Sequence, residues 1–200
     1  MKILLGISNR HLHLTEEDYK VLFGEEEIEK IKDLVQPGEF ATDKKVTIKT
    51  PKATIANVRL LGPLRKYTQV EISKTDSYVL GINPPVRNSG DLDGAETITL
   101  VGPKGEVTKE NACIIATRHI HITSADRKRF NLEDKMFVKV RVNSEKPTVF
   151  EEVHLKESDS YALEFHIDTD DGNGALAKTG DYAEIIVDWV LIFKTFLFVI

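Results

Sequence analysis

The sequence has 200 residues, a formal net charge of −5, 41% hydrophobic and 30% charged residues, six histidines and one cysteine. This length supports one or two domains with a real core, and the composition excludes global disorder. A lone Cys113 cannot form an internal disulfide, and an acidic chain lacks the cationic excess of a generic nucleic-acid surface. We therefore expect a cytoplasmic protein that has no nucleic-acid partner.

Two helices are predicted in the first part of the chain. Thr15 followed by Asp18 is a helix N-cap signature, so a short helix is expected directly after residue 15. The segment 28–35 is also compatible with a helix, which the following Pro37–Gly38 pair would end.

Strands dominate the remainder, because apolar and polar residues alternate over many short segments. The predicted strands are 45–50, 53–60, 69–73, 97–101, 137–142, 149–155, 163–167 and 182–187. Turn signals separate them at short intervals, and helical crossovers between them are missing. This pattern predicts small closed barrels.

An internal repeat divides the chain. Residues 9–18 (NRHLHLTEED) recur as residues 117–126 (TRHIHITSAD), and residues 71–80 (EISKTDSYVL) resemble residues 154–163 (HLKESDSYAL). Thr123 and Asp126 repeat the N-cap signature, so a second short helix is expected. The predicted fold is mainly β with short helices: two small β-barrel domains related by the repeat. Their predicted bounds are 1–117, which includes the N-terminal helices, and 118–187.

Residues 188–200 are predicted to form an apolar C-terminal tail of unknown role. Spanning a bilayer takes about 20 apolar residues, whereas this run is bounded by Asp188 and interrupted by Lys194. No membrane partner is expected. The tail is predicted to pack as a strand or helix on the body or on a second subunit, which favours a homodimer or other homo-oligomer, or else to be foreign to the fold.

Two His-x-His motifs are the strongest chemical signal. His11 and His13, like His119 and His121, would project from the same face of a strand with Cα atoms roughly 6.6 Å apart. Two imidazoles can then converge on one metal ion at about 2.0–2.1 Å each. Imidazole suits zinc, iron, copper or nickel, so the sequence predicts a transition-metal site in each half.

Each histidine pair needs a further ligand. Glu71, on an alternating strand, is the candidate for the first half. For the second half, the repeat aligns His154 with Glu71, whereas His166 lies in the polar segment 164–174; the residues alone leave both open. Cys113 lies in an apolar run and is interpreted as a buried, inert thiol.

Five arginines could bind anionic groups beside such a metal site. Two of them precede the histidine pairs and two bracket residues 60–64; the five are Arg10, Arg59, Arg65, Arg87 and Arg118. Sequence signatures of a nucleotide-binding loop or a serine nucleophile elbow are absent.

Five segments in order resemble the phosphate propanoyltransferases of the propanediol-utilisation type. They are 6–14 (GISNRHLHL), 57–65 (NVRLLGPLR), 69–73 (QVEIS), 118–121 (RHIH) and 164–170 (EFHIDTD). The resemblance implies a zinc-dependent acyltransferase with two barrels and two Zn²⁺ per chain. Such an enzyme interconverts acyl-CoA (propanoyl-CoA or acetyl-CoA) plus phosphate with acyl phosphate plus CoA.

The resemblance also implies residue roles. One zinc ion would be held by His11, His13 and Glu71, and the other by His119, His121 and His166, which selects His166 over His154. Arg65 matches the phosphate-binding position and is the predicted catalytic residue. The positions that match CoA contacts are Ile7, Ser8, Asn9, Lys52, Arg59 and Asn173.

Two further expectations complete the functional prediction. Family members bound for bacterial microcompartments often carry an amphipathic N-terminal extension; only five residues precede Gly6 here, so encapsulation by that route is not expected. Two alternatives to acyl transfer use the same residues. One is a dizinc phosphoester or thioester hydrolase, and the other is a non-catalytic metal-binding or anion-binding module.

Overall fold

The computed structural model describes residues 1–186, which form two closed six-stranded barrels and four short helices. The first barrel contains β2 (His11–His13), β4 (Phe40–Lys49), β5 (Thr54–Gly62), β6 (Gln69–Glu71), β8 (Glu96–Val101) and β9 (Glu106–Ala116). The second contains β1 (Lys2–Ser8), β10 (His119–Ile122), β11 (Phe137–Val142), β12 (Thr148–Glu157), β13 (Glu164–Asp168) and β14 (Tyr182–Ile186). The predicted fold class is confirmed. The predicted tail, 188–200, lies outside the described residues.

The remaining two strands and four helices lie outside the two barrels. They are the edge strands β3 (Lys30–Asp33) and β7 (Val86–Arg87) and the helices α1 (Glu16–Phe23), α2 (Lys74–Leu80), α3 (Ser124–Arg129) and α4 (Thr169–Gly174). The two repeated helices are confirmed: the Thr15 and Thr123 side chains accept hydrogen bonds from the backbone N–H groups of Asp18 and Asp126. Each barrel encloses its own hydrophobic core.

Both barrels close with the same pattern of pairing. The first runs β4–β5–β2–β6–β9–β8, and β8 pairs back to β4; the second runs β1–β13–β10–β12–β11–β14, and β14 pairs back to β1. In each, the His-x-His strand lies between one parallel neighbour (β5 or β12) and one antiparallel neighbour (β6 or β13). The repeat therefore extends to the whole barrel.

The two repeats exchange their first strands. β1 precedes β2 in the chain but lies in the second barrel, parallel to β13; β9 precedes β10 but lies in the first barrel, parallel to β6. The predicted division at residue 117 consequently does not coincide with the barrels, because residues 2–8 complete the second barrel. Backbone pairing with the partner repeat, which local sequence patterns do not report, decides this exchange.

The helix predicted over 28–35 is wrong. Residues 30–33 form β3, which pairs antiparallel with β4, and a turn closes this hairpin where Leu34 N–H donates to the Glu39 carbonyl. The apolar residues Ile31 (58% exposed) and Val35 (45% exposed) have no core to pack against, so an amphipathic helix would gain little here. Gly38, at φ +82°, takes the left-handed conformation that the turn requires.

Candidate metal centre

Both His-x-His motifs lie on short strands that bury the residue between the histidines. Leu12 and Ile120 are fully buried in the two barrel cores, while the flanking imidazoles leave the sheet on the opposite face. The alternation of the strand thus anchors each pair of histidines from behind.

The first triad consists of His11, His13 and Glu71. His11 and Glu71 are directly paired across β2 and β6, and His11 Nε2 lies 3.5 Å from Glu71 Oε2. The three candidate ligand atoms lie within 4.8 Å of one another. Burial alone would raise the pKa of Glu71, but His11, His119 and Arg65 lower it overall, so the carboxylate is ionised at neutral pH.

The second triad consists of His119, His121 and His166. His119 and His166 are paired across β10 and β13, and the His166 ring centroid lies 5.5 Å from those of both His119 and His121. These ligand atoms also lie within 4.8 Å of one another. His166 therefore occupies the position in the second barrel that Glu71 occupies in the first.

His154 does not join this triad. It pairs with His119 from the other side, on β12, where Arg59 is the corresponding residue of the first barrel. Its ring lies against Phe137, with centroids 5.4 Å apart. The similarity of residues 71–80 to 154–163 is therefore not a structural equivalence, since the Asp-Ser-Tyr of the first segment lies in α2 and that of the second follows β12.

The imidazoles are oriented as metal ligands. His11 Nδ1 lies 2.9 Å from the Asn9 carbonyl and His119 Nδ1 lies 2.7 Å from the Thr117 carbonyl, which leaves each Nε2 available. The Nδ1 atoms of His13 and His121, like that of His154 outside the triads, are buried and have no hydrogen-bond partner within residues 1–186. Because a buried polar atom without a partner is costly, the donor set fits a transition-metal ion in each triad.

Burial keeps these imidazoles neutral, which is the form that binds metal. It lowers the pKa of His119 to about 4 and that of His121 to about 2, with further lowering from neighbouring His166 and, for His121, His119. The pKa of His13 is also well below the ordinary value, again chiefly through burial.

This desolvation predicts an acid-labile apoprotein. The folded-state pKa values of His119 and His121 lie below the unfolded value of about 6.5, so the unfolded chain binds more protons below that pH. We expect the melting temperature of metal-free protein to fall by several degrees between pH 7 and pH 5. Thermal unfolding followed by circular dichroism measures this. The His119→Gln/His121→Gln double variant, measured in the same way, should show a smaller fall; an equal fall would assign the effect to other groups.

Both triads line one open cavity. Arg65 enters it from the loop after β5, and the β3–β4 hairpin covers one side. Glu164 also lines the cavity and is 3% exposed. It was not among the site residues predicted from the sequence. Its Oε2 accepts a hydrogen bond from Gln36 Nε2 (2.9 Å) and lies 3.3 Å from His166 Nε2. The alternation of side chains along β13 places Glu164 and His166 on one face of the sheet, and this pattern could have predicted Glu164 as a site residue.

The arginines predicted as anion binders differ in availability. Arg10 and Arg118 make repeat-related bidentate ion pairs with Asp76 and Asp171, so their guanidinium groups are already neutralised. Arg87 lies outside the cavity and donates to the backbone carbonyls of Val86 and Asp93. Arg65 alone among the five lines the cavity within residues 1–186.

Comparison with known proteins decides the family. The profile of phosphate propanoyltransferase matches residues 4–178. The chain is 49% identical over 186 residues to the phosphate propanoyltransferase of Thermotoga maritima, covering 92% of this chain and 89% of the relative. It is 43% identical to that of Alkaliphilus metalliredigens (93% and 88% covered) and 48% identical to that of Priestia megaterium (88% and 82%). The chain belongs to the phosphate propanoyltransferase family.

The six positions predicted to contact CoA fall into two groups. Ile7 and Ser8 line the cavity, and Asn9 lines an adjoining pocket with His11 and Glu71. The other three do not line these spaces. Lys52 Nζ donates to the Tyr78 carbonyl (2.8 Å), Arg59 donates to the Thr42 carbonyl, and Asn173 lies on α4.

Two other structural features of the chain bear on earlier expectations. Cys113 is fully buried in β9, and burial raises its pKa to about 12, which confirms the interpretation as an inert thiol. None of the helices within residues 1–186 combines the length and apolar character needed to cross a bilayer.

Proposed function

We propose that this protein catalyses reversible acyl transfer between CoA and inorganic phosphate, with one zinc ion in each triad. The observation that carries the proposal is the convergence of two metal-ligand triads and Arg65 on one cavity. The names of its relatives favour propanoyl-CoA as substrate, and acetyl-CoA is a second candidate. CoA, phosphate and two Zn²⁺ per chain are thus the proposed ligands.

The proposed reaction is direct attack of a phosphate oxygen on the thioester carbonyl. A carbon–oxygen bond forms, the carbon–sulfur bond breaks, and CoA leaves as the thiolate. When bound, the zinc ions supply positive charge that offsets the repulsion between the anionic reactants and the negative charge on the departing sulfur. The Asn9 and Thr117 carbonyls fix the His11 and His119 rings throughout.

Arg65 is proposed to orient the phosphate. Its guanidinium has hydrogen bonds to the Glu39 carboxylate (2.8 Å), the Tyr67 hydroxyl (3.2 Å) and the Ser89 hydroxyl (3.3 Å). A planar fork can bind two phosphate oxygens at once, and this fixes the attacking oxygen relative to the thioester. Ile7, Ser8 and Asn9, which lie beside the triads, are proposed to contact CoA near the reacting end. Lys52, Arg59 and Asn173 are proposed to meet its distant nucleotide portion.

Glu39 competes with phosphate for Arg65 in this mechanism. We expect Glu39→Gln to lower the KM for phosphate about twofold to fivefold, because the pair it removes is partly exposed and correspondingly weak. Initial-rate kinetics at varied phosphate measure the change. Asp33→Asn is the matched control, since it removes one negative charge from the same cavity wall without touching Arg65. A raised KM in Glu39→Gln would instead make Glu39 an orienting partner of Arg65.

A thiol-release assay tests the proposed activity. Zinc-loaded protein is incubated with propanoyl-CoA or acetyl-CoA, with and without phosphate, and acyl phosphate is trapped with hydroxylamine. Phosphate-dependent CoA release with acyl phosphate formation is expected. Phosphate-independent release would support a hydrolase, and tight zinc binding with no turnover would support a non-catalytic module. The cytoplasmic location and the homo-oligomeric state stay predictions.

A further inference from the structure

The cavity holds a half-buried basic side chain that has no acidic partner within residues 1–186. Of the three that line the cavity, Lys32 lies on the exposed β3 strand and Arg65 is paired with Glu39. Lys156, on β12, is half-buried, and no carboxylate within residues 1–186 lies within ion-pair distance of its ammonium group. The ammonium lies 5.9 Å from the centre of the Tyr161 ring. Lys156 is therefore the half-buried cation of the cavity wall that no carboxylate of these residues neutralises.

The register of the second barrel directs this side chain towards the metal centre. Lys156 is the direct partner of His121 across the parallel pair β12 and β10, so both side chains leave the sheet on the same face. Continuing the equivalent pairing in the first barrel by one residue places Leu61 beside His13. The lysine is thus a feature of the second repeat alone and not a duplicated structural residue.

Lys156 and Arg65 come from different barrels and line the same cavity. His13 and His121 line it too, and Lys156 is the direct cross-strand partner of His121. A phosphate bound by Arg65 at this position would carry more negative charge than one guanidinium balances. A flexible lysine stem suits a second contact to such an anion.

We propose that Lys156 binds the phosphate substrate together with Arg65, one cation from each barrel. This inference rests on the proposed function and adds a substrate-binding residue to it. Because Arg65 is paired with Glu39 before phosphate arrives, the Lys156 ammonium adds a positive charge that attracts the anion into the cavity. Exchange of Glu39 for phosphate on Arg65 then completes the contact.

The test compares Lys156→Met, which keeps the apolar stem, with Lys156→Arg, which keeps the charge. The matched control is Lys49→Met, because Lys49 lies on β4 and pairs with Glu106 (3.5 Å) away from the cavity. The dissociation constant of inorganic phosphate is measured by titration calorimetry on zinc-loaded protein. The KM values for phosphate and acyl-CoA, zinc content and melting temperature are measured beside it.

We expect Lys156→Met to weaken phosphate binding about 10- to 100-fold, the range for losing a hydrogen bond to a charged group. Lys156→Arg should recover most of the affinity, and Lys49→Met should change nothing. Zinc content and the KM for acyl-CoA should stay within twofold of the parent values. Unchanged phosphate affinity in Lys156→Met, or a loss confined to acyl-CoA, would overturn the inference.

Failure of this inference and failure of the proposed function give different results. Calorimetry needs no turnover, so weakened phosphate binding in a protein without acyltransferase activity would support the Lys156 contact and refute the proposed reaction. Normal acyl transfer in Lys156→Met, with an unchanged dissociation constant and KM for phosphate, would support the proposed reaction and refute the Lys156 contact. A parent protein that binds no phosphate would overturn both.

Discussion

We expect His166→Ala to lose one of two bound zinc ions and to slow acyl transfer about a thousandfold or more. His166 is the third donor of its triad, and a metal ion supplies several kcal/mol of charge stabilisation in such a reaction. Zinc content by atomic emission and the thiol-release rate are measured on the same preparation. Removing zinc from the parent protein with a chelator should abolish transfer, and restoring zinc should recover it.

The chain offers a matched control for this variant. His154 is also a partly buried histidine beside His119, but its ring packs against Phe137 outside the triad. His154→Ala should keep both zinc ions and a rate within about threefold of the parent, since it loses packing only. Full activity in demonstrably metal-free protein, or equal losses in the two variants, would refute the metal assignment.

We expect Arg65→Ala to raise the KM for phosphate about 100-fold or more while the KM for acyl-CoA stays nearly constant. The variant loses a bidentate, charge-assisted contact, and each such hydrogen bond contributes about 1.5–3 kcal/mol. Arg65→Lys should recover only part of the loss, because an ammonium group cannot reproduce the planar fork. Initial rates at varied phosphate and varied acyl-CoA separate the two constants.

Arg87→Ala is the control for general charge effects. Arg87 is half-buried, pairs with Asp91 and donates to backbone carbonyls outside the cavity, so its removal should leave both KM values unchanged. An Arg65→Ala variant that retains normal phosphate dependence would contradict the assignment of Arg65. The two largest expected losses therefore concern different steps: retention of metal for His166 and binding of phosphate for Arg65.

Local patterns in the sequence predicted the parts of this protein that depend on neighbouring residues. The alternation around His11–His13 and the N-cap at Thr15 are set within a few residues, and both were predicted correctly. Local patterns could not predict the third candidate ligand of the second triad, because strand pairing over long sequence separations decides where His154 and His166 lie relative to His119. The family resemblance, not periodicity, selected His166.

Long-range pairing also explains what the sequence did not predict. The segment 28–35 has a helix-compatible composition, but its backbone pairs with β4 instead. In the sequence, Glu164 resembles any other acidic residue. Only the fold shows that Gln36 of the β3–β4 hairpin donates a hydrogen bond to it. Likewise, only the fold shows that Lys156 lies in the cavity and that no carboxylate within residues 1–186 pairs with it.

Because the repeats exchange their first strands, the amino-terminal strand β1 lies beside the candidate metal centre of the second barrel. Gly6 on β1 is the direct neighbour of His166, and a Cβ atom at Gly6 would collide with that ring and with the Glu164 carboxylate. Removing β1 would break the second barrel at its pairing with β13, beside the candidate ligand His166. Removing β9 would break the first barrel at its pairing with β6, beside Glu71. Neither repeat alone contains all the strands of a complete barrel, so we expect the two candidate metal centres to unfold as one cooperative unit.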